Sequence, residues 1–129
     1  MVTRTYDVEA VKAMMLHESM GSANADFTVK EVQDSNNFAF IGEHGVVVFV
    51  KAENPPDTYA IRVGIMPDWR GSWGIDFFRN CVDAAFKLGA AELIGIYLPN
   101  QLEVKGLAIS AQRGVLIDEY ETFSVCRFY

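Results

Sequence analysis

Between residues 58 and 98 the chain changes its hydrophobic period twice, and no other feature constrains its fold as much. Residues 58–65 alternate Ile61, Val63 and Ile65 against Ala60, Arg62 and Gly64, the period of a strand with two different faces. The stretch from Asp68 to Gly74 then opens a helix whose Ile75, Phe78, Val82 and Phe86 share one side, and Gly89 stands where a C-cap is expected. Residues 92–98 return to a β-rich run. Two strands of one sheet joined by a helix run parallel, through a crossover that is almost always right-handed. A βαβ unit is therefore expected here.

What precedes this unit reads as antiparallel. Residues 38–41 and 46–51 are β-rich runs separated by Gly42-Glu43-His44-Gly45, a hairpin signal in which the glycines would supply positive φ. Asn54-Pro55-Pro56-Asp57 makes a second turn, so three strands form a meander. Ahead of it, residues 2–6 suit a short strand. Asp7 suits an N-cap for a helix over 8–19 carrying Val8, Val11 and Met15 on one face, and residues 26–32 suit a second short helix. After the βαβ unit, a helix over 104–112 ends at Gly114, and 115–120 with 123–128 form a closing hairpin around Glu121-Thr122. The fold class is α/β in the mixed α+β sense. A central mixed sheet carries an antiparallel meander, a parallel βαβ crossover and a C-terminal hairpin, in one domain over residues 1–129.

Composition narrows the partners. A chain of 129 residues that is 50% hydrophobic can bury one continuous core. Its formal net charge of −6 opposes phosphate backbones, so nucleic acid is not an expected partner, whereas an amine or a basic protein surface would be attracted. The longest apolar runs, 46–50 and 93–98, fall far short of the ~20 residues that span a bilayer. No membrane span is expected. The N-terminus lacks the pattern of a secretory signal, which points to a cytoplasmic protein. Cys81 and Cys126 form no CxxC pair and read as buried free thiols, and two histidines, His17 and His44, make no metal array.

Arg70-Gly71-Ser72-Trp73-Gly74 leaves a strand and opens a helix, a context in which backbone N–H groups and the positive helix end face one point. Glycine at such a turn also has a purely structural use. The wider context is more specific. Met66-Pro67-Asp68-Trp69-Arg70-Gly71 is followed by Gly74-Ile75, then by a helix ending Lys87-Leu88-Gly89-Ala90 and a strand ending Pro99-Asn100. This run resembles the central part of the GCN5-related N-acetyltransferases, and the element order is similar to that fold over nearly the whole chain.

The resemblance implies acetyl-CoA as cofactor, entering a V-shaped split between the strand 58–65 and the strand 92–98. Backbone groups at Ile65 and Met66 would hold the cofactor arm. Arg70, Gly71, Ser72, Trp73 and Gly74 would surround its pyrophosphate, and Asn100 would lie near the pantetheine. It also implies direct acetyl transfer to an amine in a ternary complex. The sequence departs from the family pattern in three places. One extra residue separates Arg70 from Gly74, with Trp73 where a small residue is usual. Asp76 takes the place of the closing glycine or alanine. Ser110 stands at the position of the usual tyrosine acid. Trp73 would either crowd the phosphate or cover the core. Asp76 would either repel phosphate or act as a first-turn helix residue.

No catalytic acid or base is assigned by these patterns. The central strand carries no carboxylate and Arg62 is its one side chain charged at neutral pH, while Glu43 and His44 occupy the turn at the end where that strand exits. A second reading is a noncatalytic scaffold that keeps the fold without the cofactor, its split filled by Trp73 or neighbouring side chains. In short length and altered loop the chain is similar to the small acetyltransferase-like proteins of tailed bacteriophages, some of them virion or head-assembly components. A third is a homo-oligomer or protein-binding module anchored by Trp69, Trp73, Phe123, Phe128 and Tyr129.

Overall fold

The computed structural model describes residues 2–15, 32–69, 71–97, 116–119 and 124–128. Its elements are β1 (Thr3–Arg4), α1 (Val8–Met15), β2 (Phe38–Ile41), β3 (Gly45–Lys51), β4 (Thr58–Ile65), a 3-10 turn (Pro67–Trp69), α2 (Ser72–Lys87), β5 (Glu92–Tyr97), β6 (Leu116–Glu119) and β7 (Ser124–Phe128). The expected helix over 104–112, with Gly114, lies outside the described residues, as do 16–19 of the first helix. Of the second short helix only Val32 is described; it and Gln33 are helical.

One seven-stranded sheet organises these elements in the order β1-β2-β3-β4-β5-β7-β6. β1 to β4 are antiparallel neighbours, with Phe38 opposite Phe49 and Gly45 opposite Ile65. β4 and β5 pair in parallel, as a helical crossover requires. β7 then lies between β5 and β6, antiparallel to both, and Arg127 reaches Glu92 at 3.7 Å beside the start of β5.

Both faces of the sheet are covered around β2 and β3, which explains why 46–50 is continuously apolar rather than alternating. Toward α2, Phe38, Phe40, Val47, Phe49, Tyr59 and Ile61 join Phe77, Phe78, Cys81, Val82 and Ala85 in the main core. Toward α1, Ala39, Val46 and Val48 join Val11 and Val32, with Val8 and Met14 at the margin. Asp7 caps α1 as its position suggested, its carboxylate accepting the Ala10 N–H at 3.1 Å.

The apolar stripe of α2 is rotated slightly from expectation. Phe78 and Val82 are fully buried as expected, but the stripe extends to Gly74, Phe77, Cys81 and Ala85, and Ile75 and Phe86 lie together at one margin, only partly buried. Its C-terminus closes as a Schellman motif: Gly89 adopts φ +112, its N–H donates to Phe86, and the Ala90 N–H donates to Ala85. The β2–β3 turn corrects the sequence reading. Neither Gly42 nor Gly45 adopts positive φ; a Cβ on Gly42 would stand 2.8 Å from the Phe77 ring, and one on Gly45 3.0 Å from the Gly64 carbonyl. These glycines are needed for close packing against α2 and β4.

Candidate functional site

Parallel pairing between β4 and β5 covers only Thr58–Glu92, Tyr59–Leu93 and Ala60–Ile94. Beyond it the two strands follow different partners, β4 staying with β3 as far as Ile65 and β5 staying with β7 as far as Tyr97. The sheet therefore splits at the end toward which both strands run. Because the 3-10 turn and α2 follow β4 directly, the start of α2 is placed beside the mouth of this split.

At that mouth an open depression of about 300 Å³ is lined by Asp68, Trp69, Gly71, Ser72 and Trp73. Gly71 is the N-cap of α2, and among the described residues no side chain caps the helix. Among the described residues a Cβ on Gly71 would meet nothing within 4 Å, so the loop presents bare backbone to the depression. Ser72 is exposed as the first helical residue. An uncapped helix start beside open backbone favours a negatively charged group.

Gly74 has a different task. It is buried, and a Cβ there would stand 2.7 Å from the Trp69 carbonyl and 3.5 Å from the Ile65 side chain. The two glycines of the loop thus divide: one leaves room for a ligand, the other lets the helix close on its own preceding turn. Ile65 is buried. Met66 donates its N–H to the His44 carbonyl at 2.9 Å and accepts the Trp69 N–H at 2.8 Å, so its N–H is committed within the chain. Arg70, Asn100 and Ser110 lie outside the described residues.

Trp73 is half-buried and turned toward the core. Its ring stacks on Phe77 with centroids 4.9 Å apart and an interplanar angle of 14°, and it lies close over Gly42. Of the two roles open to it, covering the core is the one the packing supports. Asp76 departs from expectation. α2 begins at Ser72, so Asp76 belongs to the second turn, past the reach of the strongest helix-end field. It is exposed, 4.0 Å from Arg79. Phe128 is not an anchor: it is fully buried against Phe78, while Phe123 and Tyr129 lie outside the described residues.

The site also contains a ring contact that the sequence did not reveal. His44 stands at the exit of β4, as the turn's position suggested. Its ring lies flat on Trp69, centroids 3.6 Å apart at 3°, and edge-on to Trp73 at 5.1 Å. The Glu43 carboxylate is 3.6 Å from His44 Nε2. No local pattern announces this cluster, because its members come from a hairpin turn and a helix start that only the sheet brings together.

The split sheet with an uncapped helix start at its mouth defines the class: the chain has the fold of the GCN5-related N-acetyltransferases. Its similarity to solved structures spans nearly the whole chain. A spermidine N-acetyltransferase variant from Vibrio cholerae matches with a TM-score of 0.71 at 11% identity, over 99% of this chain and 94% of that one. An IAA acetyltransferase from Bacillus cereus matches with a TM-score of 0.72 at 17% identity, over 99% and 97%. A Campylobacter jejuni N-acetyltransferase, solved with acetyl coenzyme A, matches with a TM-score of 0.66 at 16% identity, over 99% and 98%. None of these three is named as a phage or virion protein. No family model matches the sequence, and no curated protein matches it. Among the described residues, no helix is long and apolar enough to cross a membrane.

Proposed function

We propose that this chain transfers an acetyl group from acetyl-CoA to an amine. The observation that carries this reading is the end of the β4–β5 ladder at Ala60–Ile94, which opens the sheet toward the bare backbone of Gly71 and the uncapped start of α2. A pyrophosphate suits that backbone, with Gly71 and Ser72 as its contacts and Arg70 joining them by its place in the motif. Trp73 and Gly74, both turned inward, support the loop from behind. The end of β4 at Ile65 and Met66 borders the path of the pantetheine arm, with Asn100 on the opposite side by its motif position. One neighbour in fold is named for spermidine, an amine, and the net charge of −6 favours a cationic acceptor.

Acetyl-CoA supplies an activated thioester. The neutral amine's lone pair attacks the thioester carbonyl, a C–N bond forms, the C–S bond breaks, and the amine proton leaves as the thiolate takes one up. A cationic acceptor must therefore lose a proton before it attacks. The scaffold alternative expects a split filled by Trp73 or neighbouring side chains, and Trp73 packs on Phe77 instead.

Titration calorimetry with acetyl-CoA, followed by detection of released thiol with polyamine, amino-sugar and lysine-peptide acceptors, tests the reading. Saturation at ~100 times the dissociation constant should stabilise the fold by about 2.7 kcal/mol. Neither heat nor a melting shift at millimolar acetyl-CoA would overturn it.

A further inference from the structure

Trp69 remains 41% exposed, yet both its ring and its backbone have partners within the chain. One face of the ring is covered by His44 at 3.6 Å, while the Trp69 backbone N–H donates to the Met66 carbonyl at 2.8 Å and the backbone carbonyl is seated against Gly74. Trp73 stands against the same ring at 74°, centroids 6.3 Å apart, so the exposure belongs to the face away from His44 and the edges away from Trp73, and Trp69 lines the depression it shares with Gly71 and Ser72. The indole is an oriented flat surface that needs no ordering when something stacks on it. Beside it lies the exposed carboxylate of Asp68, out of place in a depression meant for phosphate alone.

We propose that Trp69 is the platform for the adenine base of the acyl-CoA nucleotide, and that Asp68 accepts a hydrogen bond from its exocyclic amine. The inference rests on the acetyl-CoA reading and assigns the end of the ligand farthest from the chemistry. Three features converge on a purine. Of the parts of an acyl-CoA, only the base has a π-face. It is tethered through ribose to the pyrophosphate proposed for Gly71 and Ser72 in the same depression. An amino-purine also offers a neutral N–H donor, which a carboxylate accepts without the repulsion it would exert on phosphate. Stacking of a base on an aromatic side chain, judged by alanine substitution, is worth about five- to a hundredfold in affinity.

The chain has two tryptophans, Trp69 and Trp73, and both line the depression, so all indole emission reports on this site. Titrating the wild-type protein with CoA, ADP, IDP and pantetheine tests the assignment without any variant. CoA and ADP should quench the emission, pantetheine should leave it unchanged, and IDP, lacking the amine, should bind about tenfold more weakly than ADP. Trp69→Ala should weaken both CoA and ADP about tenfold by calorimetry, and Trp69→Phe, which keeps a ring on His44, should fall between. Asp68→Ala should bring the ADP and IDP affinities together. If CoA binds the wild type but Trp69→Ala and Trp69→Phe bind it equally well, or ADP fails to quench, the platform is wrong while the acetyl-CoA reading stands. If the wild type binds no CoA by calorimetry, both fall. An ADP to IDP ratio unchanged in Asp68→Ala overturns the role of Asp68.

Discussion

The carbonyl oxygen of Trp69 occupies the space that a side chain at Gly74 would need, 2.7 Å from where a Cβ would stand. The obstructing atom is backbone, so it cannot swing aside as the tip of a side chain could. Gly74→Ala should therefore destabilise the protein by about 1 to 3 kcal/mol, the usual cost of overpacking a well-filled site. Urea denaturation of the unliganded protein measures it.

Gly71→Ala should behave in the opposite way. Its Cβ would meet nothing within 4 Å among the described residues, so the cost should stay below about 1 kcal/mol, the loss of a good N-cap residue. The added methyl would project into the open depression, and CoA affinity should fall about tenfold, ~1.4 kcal/mol. Calorimetric binding set against the urea midpoint separates the two glycines. Equal CoA affinity in Gly71→Ala would show that the bare backbone is not the ligand surface.

Asp76→Asn tests how far the second-turn carboxylate reaches. Its pair with Arg79 is exposed, so stability should change by less than about 0.5 kcal/mol. Across ~10 Å of water-like medium each unit of phosphate charge is repelled by ~0.4 kcal/mol, so CoA should bind about twofold tighter per charge felt. The gain should shrink as salt is added, because the carboxylate is solvated. An affinity identical to wild type at low salt would remove Asp76 from the site.

Burial raises the pKa of the Cys81 thiol far above its ordinary value. The protonated form is therefore favoured in the folded state. Stability is unaffected below the pKa of an exposed thiol, ~8.5, and is lost as pH rises from there, by up to ~1.4 kcal/mol per pH unit. Denaturation midpoints followed from pH 7 to about pH 10 should show this loss, and Cys81→Ala should show a flatter profile. Parallel slopes in the two proteins would exclude Cys81 as the cause.

The sequence determined those features whose physics is local. β2 and β4 begin and end where their apolar pattern does, and the three-stranded meander and the parallel crossover follow from turn residues and the change of period. The Schellman end at Gly89 and the Asp7 cap are likewise written in neighbouring residues. The tertiary structure decided where distant segments meet. Insertion of β7 between β5 and β6 depends on pairing across the chain, and so does the point at which β4 leaves β5. The direction of Trp73 depends on Phe77 one turn along α2 and on Gly42 in a remote hairpin turn, and the His44–Trp69 stack joins that turn to the helix start. Periodicity reports which face of an element is apolar. It carries no information about which ring from another element will lie against that face, and the candidate site is made of such contacts.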